Sequence, residues 1–481
     1  MHLTVILRIT GTLLTLFSFS FLLPAAVALF FAETTHTTFF SAFAITLFSG
    51  LVLWLPLRGK RELRGGDGFL VTALFYLGLG MFGAIPFWLG DALQLSFTDA
   101  VFESISGLTT TGATTIVGLD QLPKSLLIYR QMLQWMGGMG IIVLAVAIYP
   151  MLGIGGMQLY RTESAGPMKD NKLTPRITET AKALWYLYIG LTAACALAYW
   201  YAGMSGFDAI AHSFSTVSIG GFSTHDSSMG YFDSGAIETV AIIFMTLSGI
   251  NFALHFLVWR RRNPLHYFQD VEMRVYLFVL ALVATIVCAI LWWHPGSSDD
   301  ALRDGIFQAV SITTTTGFTT SNFAAWPSVA PILLLFAAFA GGCAGSTAGG
   351  IKMIRVLMIY LQGMREVKRL IHPNGVFTIK LGRESVPDRR VDAVWSFFSV
   401  YVFFFLLSVC TLMIMSDMDF ITAFSAVGAC LNNLGPGLGD VALNYNSITA
   451  DVKWVLMFNM VLGRLEIFTL LVLLTPAYWR R

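Results

Sequence analysis

Long apolar runs recur from one end of the chain to the other and are separated by short polar segments. An α-helix needs about 20 apolar residues to cross roughly 30 Å of hydrocarbon, and these runs reach that length. Backbone polar groups in lipid must be satisfied within the structure, so the runs indicate helices rather than open strands. The alternation typical of a membrane β-barrel does not dominate any region. The pattern therefore predicts an all-α polytopic membrane protein.

The apolar runs fall into two groups. Two stand at the N-terminal end, at about 5–32 and 38–57. The first of them is too long for the core of a signal peptide, so we expect it to be retained as a transmembrane helix. The remaining runs form four pairs, at about 69–90 with 125–150, 183–203 with 236–259, 274–294 with 329–361, and 391–416 with 454–474.

Between the two runs of each pair lies a segment with a common pattern and too few residues to span. Each segment has Asp or Thr thirteen residues before a glycine and ends in a polar strip. The segments are DAVFESISGLTTTGAT (99–114), DAIAHSFSTVSIGGFS (208–223), DGIFQAVSITTTTGFT (304–319) and TAFSAVGACLNNLGPG (422–437). We expect each to form a half-helix, with Asp99, Asp208, Asp304 and Thr422 suited to be the N-caps.

A span, a half-helix, a polar strip and a second span together make a re-entrant pore loop. Non-helical backbone is tolerated at membrane depth only where it lines a cavity or is buried in protein. Four half-helices would aim the negative ends of their dipoles at one point, and the strip carbonyls would replace the hydration shell of a cation. The predicted ion-binding residues are Thr110, Thr111 and Gly112; Ile219, Gly220 and Gly221; Thr315, Thr316 and Gly317; and Asn433, Leu434 and Gly435.

The repeats predict pseudo-fourfold architecture around one pore, built from span–pore-helix–span units, with two extra N-terminal transmembrane helices. The predicted units are 1–64 for the helix pair, then 65–160, 161–262, 263–375 and 376–481 for the four pore-loop repeats.

Composition and charge agree with a membrane location. The chain is 56% hydrophobic and 12% charged, where a soluble chain carries about 25% charge. Basic residues cluster at 58–64, 161–182, 260–274 and 352–390, which the positive-inside rule places in the cytoplasm with both termini. The opposite loops carry an excess of carboxylates. That excess either concentrates cations at the mouth of the pore or simply reflects topology.

The four segments resemble the Trk/Ktr/HKT superfamily of potassium transporters, and the extra N-terminal helices resemble its TrkH-type branch, the membrane subunit of bacterial Trk systems. The resemblance implies a potassium uptake pathway in the bacterial inner membrane, usually a homodimer surrounded by lipid. Glycine at the filter position of all four repeats goes with potassium selectivity. Sodium-preferring plant relatives carry serine at the first of these positions, whereas this chain has Gly112.

The resemblance also implies a partner, a cytosolic ring subunit that binds NAD, ATP or ADP and controls the gate. The nucleotide would be bound by that subunit alone. We expect no covalently bound cofactor on this chain and only potassium ions in its filter. Glycine clusters at 137–140 and 153–156 do not follow a strand, so they do not predict a nucleotide site here.

The second run of the third pair is interrupted by GGCAGSTAGGIK (341–352). So many glycines cannot sustain a continuous stable helix, so the stretch predicts a flexible intramembrane loop. A small-residue packing surface between helices is the alternative. The resemblance implies a gate here, formed by Gly341, Gly342, Gly345, Ser346, Thr347, Gly349, Gly350 and Lys352.

Two charged residues stand inside apolar surroundings. Arg464 lies within the last run, where a guanidinium usually faces the bundle interior or a water-filled path. The resemblance implies an electrostatic barrier beneath the filter, whereas a structural ion pair, for example with Glu466, is the alternative. Glu103 lies within the first half-helix and either accepts hydrogen bonds behind the filter or faces an exposed vestibule.

Other function classes are less well supported by the sequence. The spans contain no nucleophile, base or metal cluster in an enzyme-like pattern, the histidines have no ligand spacing, and no nucleic-acid partner is expected. A symporter that couples potassium to protons or sodium remains the alternative, because broken helices near the membrane centre are typical of secondary transporters too.

Overall fold

The computed structural model describes residues 3–55, 67–148, 177–294, 300–327, 329–382, 384–465 and 467–480. The predicted unit boundaries at 64/65 and 160/161, the basic positions 58–64 and 161–176, and Glu466 lie outside these ranges. Where the structure describes the chain it is helical almost throughout. Lys380–Leu381 and Glu384–Ser385 pair as a short antiparallel hairpin, the one strand pair among the described residues, and the remainder is loops and turns.

Two N-terminal helices pack closely against each other. The first is Leu3–Ser18, continued through one turn of 3-10 helix (Phe19–Phe21) as Leu22–Phe30, and the second is His36–Trp54. A Cβ atom on Gly11 would overlap the carbonyl oxygen of Gly50, and one on Gly50 would overlap the backbone of the first helix. Small residues allow membrane helices this close approach, which fixes the pair.

The four pairs of spans and the half-helices between them occupy the rest of the chain. The first spans are Asp67–Gly83 continued as Ile85–Leu89, Ile177–Tyr201, Val271–Trp293 and Asp388–Met415. Half-helices 1 to 4 are Phe97–Leu108, Gly206–Ser218, Ala301–Thr313 and Phe420–Leu431. The second spans are Lys124–Ile148, Gly235–Ser248 with Phe252–Arg261, Val329–Ala340 with Met353–Ile371, and Ala450–Leu465 with Ile467–Leu474. The short helices Leu265–Gln269 and Pro476–Trp479 join or end these elements.

The described helices have the length and composition of a multi-pass membrane protein. Six are long and apolar enough to cross a bilayer, and eight segments qualify if each of two bent helix pairs is counted as one span. Large apolar side chains such as Phe48, Trp200 and Phe278 point outward from these helices. The half-helices, in contrast, are buried inside the bundle along most of their length.

The second span of the second pair is not the single run that the sequence predicts. Its two helices meet at 92°. At the bend, Gly249 accepts a hydrogen bond from the Cys343 N–H at 2.8 Å, and the Phe252 N–H donates to Gly345 at 3.0 Å. The Asn251 side chain caps the helix that follows. The helix therefore breaks where the 341–352 loop docks, and its freed backbone groups pair with that loop.

The predicted N-caps of the half-helices were wrong. The caps are Ser96, Ser205 and Asp419, each three residues before the predicted one, and Asp300, four residues before Asp304. Ser96 accepts a hydrogen bond from the Asp99 N–H at 3.2 Å and donates to the Asp99 carboxylate at 2.7 Å. An acid at the third helical position completes a capping box, so it occurs in the same neighbourhood as a cap.

Candidate functional site

The four strips share one backbone conformation. In each, the residue before the glycine donates its N–H to a carbonyl five residues earlier, at 2.8 Å in every case. The residue preceding that donor has a positive φ, which is uncommon for a residue with a side chain. Those residues are Thr110 (55°), Ile219 (56°), Thr315 (65°) and Asn433 (54°). Each half-helix therefore ends in the same tight turn.

The glycines join the strips into a closed ring. A Cβ atom on Gly112 would overlap the carbonyl oxygen of Gly220 in the second strip. A Cβ atom on each of the other three glycines would also lie closer than 3 Å to a carbonyl oxygen of the next strip. The pairs are Gly221 with Thr316, Gly317 with Leu434, and Gly435 with Thr111 of the first strip. Each glycine thus lies against the carbonyl of the residue that precedes the next strip's glycine. The four glycines are required by this contact and by their positive φ values of 80–95°.

The ring brings backbone oxygens from all four strips together. Thr110, Thr111, Thr315, Thr316, Asn433 and Leu434 are buried, as is Ile219. Carbonyl oxygens in such an arrangement can take the place of the water around a dehydrated cation. The predicted ion-binding residues are therefore in one place, on equivalent positions of four short helices.

Side chains from neighbouring elements hold the strips in position. Gln134, on the second span of the first pair, donates to the Gly220 carbonyl at 2.5 Å and accepts from the Phe222 N–H at 3.0 Å. The Tyr445 hydroxyl donates to the Gly435 carbonyl at 2.8 Å. Sequence reasoning missed both residues. A glutamine inside an apolar run was a usable signal, because a buried amide needs partners.

Glu103 is fully buried behind the first strip rather than exposed in a vestibule. Its carboxylate accepts hydrogen bonds from the Thr114 hydroxyl and the Thr115 N–H, both at 3.0 Å. Arg130, also buried, pairs with it at 2.7 Å. Both charges are thereby satisfied, as a buried ion pair requires.

The 341–352 loop lies directly against the strips. Its Gly349 N–H donates to the Thr315 hydroxyl at 2.7 Å, and its Gly350 N–H donates to the Asn432 carbonyl at 3.0 Å. The Thr347 hydroxyl donates to a carbonyl at the end of half-helix 2 at 3.0 Å. The loop thus touches half-helix 2, strip 3 and the end of half-helix 4.

The other predicted gate residues shape the loop itself. Gly341, Gly345 and Gly350 have positive φ values, as does Lys352 (83°). The Lys352 ammonium donates to the Ala348 carbonyl, and Ser346 donates to the Cys343 carbonyl at 2.6 Å. The carbonyl of Gly342 accepts from the Met353 N–H at 3.0 Å, where the next helix begins.

Arg464 joins the loop to the second span of the first pair. Its guanidinium donates to the carbonyls of Gly137 at 2.7 Å, Gly138 at 3.0 Å and Thr347 at 3.1 Å, and lies 3.3 Å from the Tyr76 hydroxyl. A cavity of about 50 Å³ lies beside it. The cavity lining includes Gly345, Gly349, Lys352, Asn433 and Arg464, so it connects the loop, the arginine and strip 4.

At the N-terminal end of half-helix 2, away from the strips, an ionic cluster joins the loops that follow strips 1 and 2. The His225 ring lies 2.5 Å from a carboxylate oxygen of Asp120 and 3.7 Å from one of Asp208, and it stacks on Tyr231. Burial acts to lower the pKa of His225, but the two carboxylates outweigh it and the pKa is raised. The cluster therefore favours a protonated histidine at this mouth.

Comparison with known proteins places this chain in a family. Residues 35–481 match the family model TrkH, described as a cation transport protein. The Trk system potassium uptake protein TrkH of Vibrio parahaemolyticus serotype O3:K6 is 56% identical over 481 residues, with 99% of each chain covered. That of Escherichia coli K12 is 53% identical over 483 residues, with both chains fully covered.

A solved structure agrees with the sequence comparisons. The crystal structure of the potassium transporter TrkH from Vibrio parahaemolyticus superimposes with a TM-score of 0.91 at 53% identity, and 100% of both chains is covered. The matches extend over the half-helices, the strips, the 341–352 loop and Arg464. This chain belongs to the TrkH family of cation transport proteins.

Proposed function

We propose that this chain is a potassium-selective channel or transporter that carries out potassium uptake across the bacterial inner membrane. The closed ring of four glycines and the carbonyls packed against them carries the proposal. A ring of equivalent backbone oxygens suits a dehydrated monovalent cation, and each glycine permits the close approach that keeps the ring narrow. The printed names of the relatives, which are potassium uptake proteins, support potassium as the ion. The chain acts by transport rather than as an enzyme.

The 341–352 loop and Arg464 form the gate in this proposal. The loop lies against strip 3 and half-helix 4 through single hydrogen bonds from Gly349 and Gly350. A positive charge beside the strips raises the energy of a passing cation. The arginine is held by carbonyls on the loop and on a neighbouring span, so movement of the loop would also release it.

The proposed orientation places both termini in the cytoplasm. Arg260 and Arg261 end one second span, and Lys368 and Arg369 end another; the alternation of spans in the proposed topology assigns both ends to the same side of the membrane. Asp120 and Asp208 lie at the other mouth, where they would attract cations from outside. The basic side faces the cytoplasm under the positive-inside rule.

The proposed partner is a cytosolic nucleotide-binding ring subunit that carries NAD, ATP or ADP and controls the gate. The relatives are named as parts of a Trk system, which supports a multi-component assembly. The chain itself would work as a homodimer in lipid, with potassium as its cargo and no cofactor of its own.

Rubidium uptake tests the proposal. The purified chain is reconstituted into liposomes loaded with potassium, and entry of radioactive rubidium is followed while potassium, sodium or lithium compete outside. Uptake blocked by potassium but not by sodium is expected. Equal competition by sodium would contradict the proposal. If the chain alone gives no uptake, the same assay is repeated in cells that lack their own potassium uptake proteins but retain the cytosolic Trk subunit.

Current–voltage curves separate a channel from a symporter. A channel current reverses at the Nernst potential of potassium, and changing the proton or sodium gradient leaves that potential in place. A coupled carrier shifts its reversal potential by an amount set by the second ion. The channel result is expected, because the strips offer neutral oxygens to the ion.

A further inference from the structure

One position behind the strips differs in all four half-helices. It lies nine residues before each ring glycine, and each side chain there is fully buried. The residues are Glu103, His212, Gln308 and Ala426. The fold thus presents four equivalent buried positions with a carboxylate, an imidazole, an amide and a methyl group.

The three polar side chains tether the half-helix to the chain beyond its own glycine. Glu103 accepts from Thr114 and Thr115, as described above. His212 lies 3.0 Å from the Ser223 hydroxyl, and Gln308 donates to the Ser321 carbonyl at 3.1 Å. The alanine side chain offers no hydrogen bond. At this position the tether therefore changes from charged to neutral to none, while in half-helix 4 the preceding residue, Ser425, bonds to the backbone of Leu438 instead.

Among the described residues, the first tether alone extends to a second strip by hydrogen bonds, whereas His212 reaches strip 3 only by a ring contact with Phe318 at 6.1 Å. Arg130 pairs with Glu103 and also donates to the Thr114 hydroxyl at 3.1 Å. A further guanidinium nitrogen donates to the Ser223 carbonyl at 3.0 Å, and the group lies 4.2 Å from the centre of the Phe222 ring. Glu103 and Arg130 thus fix the first and second strips to one another.

Such a pair is poorly explained by stability alone. Taking two charges out of water is costly, and apolar replacements of similar volume are often neutral or stabilising. A charged pair with directional contacts does supply geometry, because five donors in a rigid plane hold their acceptors at fixed positions. The geometry held here is the separation of two strips of the ring.

We propose that the Glu103–Arg130 pair determines ion specificity by fixing the distance between strips 1 and 2. Potassium and sodium differ in radius, so a ring that can contract on one side offers sodium a better fit. The inference rests on the proposed function, since it assigns residues to the selectivity of that pathway. Glu103 and Arg130 act as positioning residues, because the ring oxygens lie between them and the ion.

The test compares sodium and potassium as competitors of rubidium uptake, in cells deleted for their own potassium uptake proteins but retaining the cytosolic Trk subunit. Glu103→Gln alone leaves the Arg130 charge unpaired, so the main variant is the neutral double Glu103→Gln/Arg130→Gln. Arg130→Lys is the second variant, since it keeps the charge pair but cannot reach Ser223 and Thr114 together. Gln308→Leu is the matched control at the third position.

Both Arg130 variants are expected to lower the preference for potassium about tenfold, which corresponds to about 1.4 kcal/mol. The control is expected to change it by less than about twofold, since its tether is one neutral hydrogen bond. Thermal unfolding of the purified variants separates selectivity from stability. A double variant that does not fold leaves Arg130→Lys to decide.

The two possible failures are distinguishable. A wild-type chain that does not prefer potassium contradicts the proposed function, whatever the variants do. A selective wild type with an equally selective, folded Arg130→Lys or double variant overturns the role of the pair alone. A loss of selectivity in Gln308→Leu as large as in the double variant would likewise overturn it.

Discussion

Asn433 donates a hydrogen bond to the Thr111 hydroxyl at 3.0 Å, although 322 residues separate them along the chain. The same side-chain amide donates to the Met460 carbonyl at 2.9 Å. This contact closes the ring of strips between its last member and its first. A chain folded in four successive units therefore ends with its first and last strips locked together.

Gly112→Ser is expected to reduce the preference for potassium over sodium about tenfold, or about 1.4 kcal/mol. The serine Cβ would overlap the Gly220 carbonyl and would require a φ of 80°, so the first and second strips must shift. Rubidium uptake with sodium as competitor measures the change. Gly206→Ala is the control, because a Cβ there meets open space. Unaltered selectivity in the serine variant would refute the role of the glycine.

Arg464→Ala is expected to raise rubidium flux about tenfold, since that factor corresponds to about 1.4 kcal/mol of barrier. The substitution removes a positive charge beside strip 4 and releases the Thr347 carbonyl. Initial rates in proteoliposomes measure the effect.

Arg464→Lys distinguishes the two causes. It keeps the charge but cannot serve the Gly137 and Thr347 carbonyls together. Flux near the wild-type rate indicates an electrostatic barrier, whereas a rise equal to that of the alanine variant indicates a hydrogen-bonded latch. Unchanged flux in a folded alanine variant would exclude both roles.

Thr315→Val is expected to destabilise the docked loop by about 1–3 kcal/mol, because the buried Gly349 N–H loses its acceptor. Valine has nearly the same shape, so the strip itself should keep its packing. A lower unfolding temperature together with faster rubidium uptake is the expected result. Uptake at the wild-type rate in the folded variant would show that this hydrogen bond does not hold the gate.

Thr313→Val is the matched control for that experiment. Its hydroxyl is buried and has no hydrogen-bond partner among the described residues. Valine at this position should leave uptake unchanged and stability equal or higher, since no partner is lost. A change in uptake as large as that of Thr315→Val would assign the effect to packing.

His225 is expected to make stability depend on pH. Its folded-state pKa is raised, so its contribution is fully present below the unfolded value near 6.5 and is lost as pH rises through the folded value. The cluster is partly exposed, which limits the contribution to about 1 kcal/mol or less. The difference in unfolding temperature between wild type and His225→Gln should therefore be largest near pH 6 and decrease as the pH rises toward 9.

The exposed His372, replaced by glutamine, serves as the control for that titration. Its unfolding temperature is measured across the same pH range, because this position lies outside the cluster. A difference for His225→Gln that grows with pH would have the wrong sign and would contradict the ionic cluster.

Much of this architecture could be predicted from the sequence because it depends on chain-local patterns. The length of each apolar run predicts a span. The spacing of thirteen residues from an Asp or Thr to a glycine predicts the half-helices and the strips that follow them. The TrkH-type resemblance is confirmed by the family match over residues 35–481. The residue roles in the strips and the gate stay predictions, since geometry alone does not measure ion flux.

Features that depend on contacts between distant segments could not be predicted. The local signals at the bend, Gly249 and the capping Asn251, do not predict its 92° angle, because the distant 341–352 loop supplies the hydrogen bonds that hold it. Arg130 stands near the polar start of an apolar run, where the sequence favours an outer-loop position, but it lies buried on a span beside Glu103. Arg130 and Glu103 lie on different elements, and no sequence pattern connects them, so their pairing depends on the fold.

The ring has a genetic consequence, because one polypeptide supplies all four strips. In a channel made of four identical subunits, a point mutation in the gene appears in all four subunits, so it changes every strip of the ring together. In this chain one codon change alters one strip, and the other three strips keep their native residues. Mutations in different strips should therefore change ion preference by different amounts, and each strip can diverge under selection independently of the other three.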